Sequence, residues 1–307
     1  ALSVFLRGPS LGAVRGLGLG GWIAQTYGWR TAFIVIGAPG LLLGMLLWLT
    51  VRSPAPTALA SATPASGAAK EDWRSTLGEL FATPAFLLIV LAGTLAAVMG
   101  YAIGTWNPSF LIRSHGLTMQ QAGLLVGLGG GICSTIGTLV CGSVTDRLVA
   151  RDPGWQLLIP VIGCAVSVPL GLAFYLWPAD VAFHIGSLPV PEAFLFYLAF
   201  SFTAIWWSVP CFGAISHLFP PNRLAQATAI FVMSMTLLGV GLGPIIVGTL
   251  SDVFNPELGQ EALRYALAAS GLLSRVAAGC LLSAGGSYRR KLRANAVPPA
   301  AAAAASA

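Results

Sequence analysis

Eight apolar blocks dominate this 307-residue chain. They run over approximately residues 2–26, 31–51, 84–107, 119–144, 156–177, 191–216, 224–250 and 262–284. Each matches or exceeds the roughly 20 residues that a helix needs to cross a bilayer. Inside lipid every backbone N–H and C=O must be satisfied by the chain itself, and a helix does this within one segment. The sequence therefore predicts an all-α, polytopic membrane protein with eight transmembrane helices. Charge agrees: Asp, Glu, Lys and Arg make up 8% of the chain, against about 25% in soluble domains. No stretch between the blocks could hold a soluble domain of useful size.

The loop Gly142-Ser-Val-Thr-Asp146-Arg147-Leu-Val-Ala-Arg151 lies between two blocks and carries two arginines. Short positive loops stay on the cytoplasmic side. With this loop inside, eleven of the 16 basic residues fall inside and three (Arg30, Arg113 and Arg264) outside, while Arg15 and Arg275 lie within spans. The expected location is the inner, cytoplasmic membrane, with the lipid bilayer as an obligatory partner. Nucleic acid is excluded as a partner, because the basic residues form no folded patch with aromatics interleaved. Seven of the nine tryptophans fall near span ends, as an aromatic belt should. Trp206 and Trp207 do not.

Between the second and third blocks, residues 53–69 form a linker with too little apolar bulk to fold. Trp73, Leu77, Leu80 and Phe81 then recur at helical spacing, which predicts a short helix on the inner membrane surface. Thr83-Pro84 reads as an N-cap followed by Pro at the first helical position. The tail from Ser287 starts basic, ends in an alanine run and reads as disordered. The five cysteines lie inside apolar blocks with no CxxC spacing, which points to packing and away from disulfides or metal ligation. The chain opens at Ala1, already inside an apolar run, and is expected to be a fragment or an incomplete reading frame.

Glycine recurs every four residues at Gly8, Gly12, Gly16 and Gly20 in the first block, and at Gly123, Gly127 and Gly131 in the fourth. The seventh carries Gly239 and Gly243, followed by Pro244. On a helix such ladders stack along one face and let another helix approach closely. Two catalytic patterns in the first block lack their context. Gly8-Pro-Ser10-Leu-Gly12 matches a nucleophile elbow without the strand and base it needs. Gly16-Leu-Gly18-Leu-Gly-Gly21 matches a dinucleotide fingerprint without a strand or a following acid. The chain reads as a non-enzyme, with no cofactor and no metal.

The spacing Gly-x3-Asp-Arg-x3-Arg between two spans resembles the loop signature of the major facilitator superfamily, although Val149 stands where that family usually has a Gly. The glycine-rich first and seventh blocks are similar to that family's fifth and eleventh spans. Four further segments resemble its spinster branch: Gly20 to Phe33, Pro108 to His115, Asp146 to Trp155, and Gly241 to Asp252. The resemblance implies an incomplete major-facilitator fold with the first four spans missing. Residues 1–52 would be the last two helices of the N-terminal bundle. Residues 53–82 would be the cytoplasmic linker with its interfacial helix, 83–286 the C-terminal six-helix bundle, and 287–307 the disordered tail. Within the bundle, 84–177 and 191–284 would be three-span repeats of opposite orientation.

The function so implied is secondary active transport of a small organic or amphiphilic solute by alternating access. The solute would be lysophospholipid- or sphingolipid-like, with a coupling proton as a further partner. The alternatives are a non-transporting membrane fragment and a transporter of a small organic anion. Trp206 and Trp207 sit mid-span, and adjacent helical positions point about 100° apart, so at least one should face protein or cavity. Tyr101, Trp106, Asn107, Thr203, Met233 and Thr236 are expected to line the same space. Arg15 is either an anion contact there or a tolerated substitution. Gly12, Gly16, Gly20, Gly142, Gly243 and Pro244 would set helix approach at the gate. There Asp146, flanked by Arg147 and Arg151, would accept hydrogen bonds from the N-terminus of the first span near Leu2–Phe5.

Overall fold

The computed structural model describes residues 20–50, 73–186 and 188–296. Residues 20–27 are helical and end at Gly28, whose φ of 85° suits glycine and turns the chain into α1, Trp29–Thr50. The first expected span, 2–26, and the linker, 53–69, lie largely or wholly outside the described residues. A short helix α2, Trp73–Ala82, occupies the stretch where helical spacing places one. Its Leu80 is fully buried against Phe86 and Leu218, so the helix is docked on the protein.

The bundle opens with α3, Pro84–His115. Thr83 holds the extended N-cap conformation before Pro84, but its hydroxyl does not cap the helix. It donates instead to the Glu79 carbonyl of α2 at 2.8 Å. Gly116 ends α3 in the left-handed conformation, φ 65°. One turn later Thr118 and Gln121 form a capping box that starts α4, Met119–Leu124. A π-helical stretch, Leu125–Gly130, joins α4 to α5, Gly131–Val149. Then come α6, Trp155–Leu176; α7, Ala193–Ala204; α8, Ser208–Leu218; α9, Pro221–Leu258; α10, Ala262–Ser270; and α11, Leu272–Ala296.

Among the described residues, six helical runs are long and apolar enough to cross a membrane. The last covers residues 221–295, too long for one crossing, and it folds back at Gly259, where φ is 53°. The chain is a polytopic helical membrane protein.

Two departures from the expected architecture stand out. First, residues 181–191 form a β-hairpin, with β1 Val181–Ile185 antiparallel to β2 Leu188–Pro191 around Gly186. The alternation Val-Ala-Phe-His-Ile ahead of a Gly-Ser pair is a hairpin signal, here set between two long apolar blocks. Second, the tail does not begin at Ser287, because α11 continues to Ala296. Tyr288 is fully buried and its hydroxyl meets His217 Nδ1 at 3.1 Å. Lys291 donates to Glu79 at 3.1 Å, and Asn295 to the Leu218 carbonyl at 3.2 Å. These contacts come from segments far away in sequence.

α9 and α11 both pack along α3, and α6 packs against α7 and α11. Gly239 and Gly243 mark the α9–α3 contact. A Cβ at Gly243 would run into the Val98 carbonyl, and one at Gly239 into the Tyr101 ring and Ala97. Charge separates by end. Arg147, Arg151, Arg223, Arg289, Arg290, Lys291 and Arg293 share one end with Glu79, Asp146 and Asp152. The opposite end holds Arg113 and Arg264 with Asp180, Glu192, Asp252, Glu257 and Glu261. Each end also has its own apolar core. Phe86, Leu218, Phe231 and Tyr288 belong to that of the basic end, and Phe110, Phe174, Tyr175 and Leu263 to that of the acidic end.

Candidate functional site

Between the two cores, at mid-depth, lies a cavity of about 460 Å³. Small residues make the room: Ala96, Ala97, Gly100 and Gly104 line it from α3. Three departures from regular helix border it. The π-helical stretch ends at Gly130, which lines the cavity. The helix from Ala193 to Leu218 breaks between α7 and α8, and Ala204, Ile205 and Trp207 face the cavity there. The break at Gly271 separates α10 from α11, just ahead of Ser274, another lining residue. Irregular backbone at membrane depth is tolerated where it lines a cavity or is buried in protein, and discontinuous helices mark midplane sites.

The lining is neutral. Its polar groups are the hydroxyls of Tyr101, Ser134, Ser167, Tyr197, Ser201, Thr236 and Ser274. Met99, Met235, Cys164, Phe200 and Trp207 add soft, polarisable surface. No Asp, Glu, Lys, Arg or His lines it among the described residues. Tyr197 lies so close to Gly130 that a Cβ there would strike its hydroxyl. Such a surface can hold an apolar body and hydrogen-bond a small polar group.

Three of the expected site residues line this cavity: Tyr101, Trp207 and Thr236. The others do not. Trp106 Nε1 donates to the Pro244 carbonyl at 3.0 Å, which ties α3 to α9. Asn107 is fully buried, and its Oδ1 accepts a 2.9 Å bond from the Tyr175 hydroxyl. Thr203 Oγ1 donates back to the Ala199 carbonyl at 3.1 Å. Trp206 packs its Cβ on Gly163 and its ring edge-on to Phe202, while its Nε1 has no partner among the described residues. Met233 is 59% exposed, and Met235 faces the cavity in its place. Two residues along a helix rotate the side chain by about 200°, which moves it from one face to the other. Arg15 lies outside the described residues.

Sequence reasoning missed Tyr197 and the serines at 134, 167, 201 and 274. Their signal was available: hydroxyl residues inside apolar spans usually face protein.

Of the gate residues, Gly12 and Gly16 lie outside the described residues, as does the Leu2–Phe5 segment that Asp146 was to meet. Gly20 sits against Ile36. At Gly142 a Cβ would lie 3.9 Å from Val209, its one such neighbour among the described residues. Asp146, Arg147 and Arg151 are exposed at the basic end. Among the described residues no three His, Cys, Asp or Glu side chains gather as metal ligands.

Known proteins resemble this arrangement closely. The chain has 32% identity over 277 residues to an MFS-type efflux pump of Mycolicibacterium smegmatis, covering 89% of this chain and 60% of that protein. It has 24% identity to protein spinster homolog 1 of Xenopus tropicalis, covering 92% of this chain and 55% of the relative. The chain thus spans little more than half the length of these relatives. Its fold matches the crystal structure of a bacterial homolog to the human lysosomal transporter Spinster, inward-facing and unoccupied. There the TM-score is 0.72 at 20% identity, over 90% of this chain and 66% of that one. The family profile of the Major Facilitator Superfamily matches residues 1–233. The chain belongs to the Major Facilitator Superfamily and is similar in sequence to that superfamily's spinster homologs.

Proposed function

We propose that this chain forms the greater part of a secondary active transporter of the cytoplasmic membrane, moving an amphiphilic solute by alternating access. The observation that carries the reading is the neutral, mid-depth cavity of about 460 Å³ with a broken helix at its wall. A cavity of that size lies within the range of small-ligand sites. Its apolar floor and scattered hydroxyls suit a lipid-like molecule with a compact polar group, such as a lysophospholipid- or sphingolipid-like one. The described lining carries no basic side chain, which favours an amphiphile over a small organic anion. In this reading Tyr101, Trp207 and Thr236 contact the solute, and Asp146 biases the gate at the basic end.

The test is binding and flux of a fluorescent lysophospholipid in proteoliposomes. The reading expects saturable binding that Trp207→Ala weakens. Absence of binding by a folded sample refutes it, and binding without flux supports the non-transporting fragment. For the gate, Asp146→Asn in a transport-competent protein should raise cysteine accessibility from the cytoplasmic side. Unchanged accessibility removes Asp146 from the gate.

A further inference from the structure

Two recesses meet at Arg289, at the basic end and away from the cavity. The first, about 710 Å³, is lined by Asp152, Pro153, His217, Arg289, Leu292 and Arg293. Arg289 and Arg293 are four residues apart on α11 and therefore share a face. The Arg289 guanidinium lies directly over the backbone of Gly154, where any Cβ would collide with it. It donates to Asp152 Oδ2 at 3.0 Å, and the other oxygen of Asp152 accepts the Gly154 N–H at 2.8 Å. The pair stays half-exposed, so the guanidinium keeps donors free toward the recess. Arg293 has no ion-pair partner among the described residues.

The second recess, about 310 Å³, shares Arg289 with the first and is also lined by Gly154. It runs along the seam of α6 and α11 and is mostly apolar, with Leu157, Leu158, Leu281 and Leu282 as walls beside Tyr288, whose hydroxyl is engaged by His217. Gly285 and Gly286 also line it, and a Cβ on either would meet nothing within 4 Å among the described residues. It shares no residue with the transport cavity.

A cationic pocket at the end of a membrane bundle, opening onto an apolar groove between two spans, has the two-part shape of one ligand class. Guanidinium forks match phosphate oxygens, and a groove lined by leucine and glycine takes a hydrocarbon chain. Basic pockets between spans are a recognised form of headgroup site. We propose that the α6–α11 edge holds one anionic phospholipid. Its phosphate sits on Arg289 and Arg293, and one acyl chain lies in the groove over Gly285. The groove commits the site to a lipid, because free phosphate has no use for it. The lipid would fasten the 152–154 turn to α11 while leaving the cavity open.

The experiment is native mass spectrometry of the full chain released from nanodiscs of equal phosphatidylglycerol and phosphatidylcholine. The expected result is about tenfold preferential retention of phosphatidylglycerol. Arg293→Gln, an exposed and unpaired position expected to fold normally, should cut that preference to threefold or less. Gly285→Leu should lower total retention without altering charge, and Arg113→Gln at the opposite end should change nothing. Inorganic phosphate at 50 mM should not displace the lipid. Equal retention of both lipids overturns the proposal, as does wild-type retention by both Arg293→Gln and Gly285→Leu with helicity intact. Displacement by inorganic phosphate would show a free-anion site and also overturn it.

Discussion

The Tyr175 hydroxyl donates a 2.9 Å hydrogen bond to Oδ1 of Asn107, joining α6 to α3 inside the core of the acidic end. Both side chains are essentially solvent-free. A neutral hydrogen bond is worth about 1 kcal/mol net, and an abandoned buried group costs about 1–3 kcal/mol. Tyr175→Phe should therefore destabilise by about 1 kcal/mol and Asn107→Leu by more. The double variant should cost less than the two together, because it leaves no orphan. Urea unfolding in detergent micelles measures all three, and strict additivity would disprove the coupling.

Gly243 and Gly241 offer a matched comparison two residues apart. Replacing a mid-helix Gly by Ala gains roughly 0.5–1 kcal/mol when space is open. Nothing lies within 4 Å of a Cβ at Gly241, so Gly241→Ala should be neutral or stabilising. At Gly243 the new methyl would meet the Val98 carbonyl of α3. Overpacking costs about 1–3 kcal/mol, which exceeds the gain, so Gly243→Ala should lower the melting temperature. Equal melting temperatures would mean that α9 can slide away from α3 at little cost.

Glu79 of α2 pairs with both Arg223 and Lys291, at the starts and ends of different helices. All three side chains are partly exposed, and exposed pairs contribute about 0–1 kcal/mol. Glu79→Gln should therefore leave global stability almost unchanged. Its effect should be local: faster hydrogen exchange across 76–82, with little change in α3. Should protection of α2 survive the substitution, burial of Leu80 alone holds the helix.

Within the cavity, Trp207→Ala and Met235→Ala should each weaken binding of a lysophospholipid probe by about tenfold. Met233→Ala should not, since that side chain points away. Intrinsic tryptophan quenching gives the titration. A Met233 effect as large as that of Met235 would place the solute outside this cavity.

Single-cysteine labelling tests the orientation. Cysteines at 147 and 289 should label from the side opposite to those at 113 and 264. Labelling of 147 and 113 from one side would break the alternation on which the assignment rests.

What the sequence disclosed followed from what lipid demands. Apolar length identifies a crossing because an unsatisfied backbone is so costly there, and the starts of α3 and α9 at Pro84 and Pro221 were near their expected places. Helix phase was not readable in the same way. Lipid tails are as apolar as a protein core, so nothing in the residue type says whether Met233 or Met235 points inward. The helical end of α11 was hidden for another reason. Tyr288 and Lys291 are held by His217 and Glu79, which lie 71 and 212 residues away. Tryptophans do not outline the neutral cavity: Gly100 and Gly104 make its space and serines edge it, and neither residue type stands out within an apolar span.

The π-helical stretch at Leu125–Gly130 has one more effect. A hydrogen bond that reaches back five residues where four are usual lets the helix carry one residue too many. Everything after it is turned by about 100° relative to an uninterrupted helix. Gly137, against the Phe202 backbone, and Cys141, donating to the Trp206 carbonyl, are aimed at the broken α7–α8 helix through that offset. Asp146, farther along the same helix, inherits it. Deleting any one residue between 125 and 130 would heal the helix and misdirect the half that leads to the charged loop. The irregularity beside the cavity thus sets the angle of the arm that ends in the charged loop.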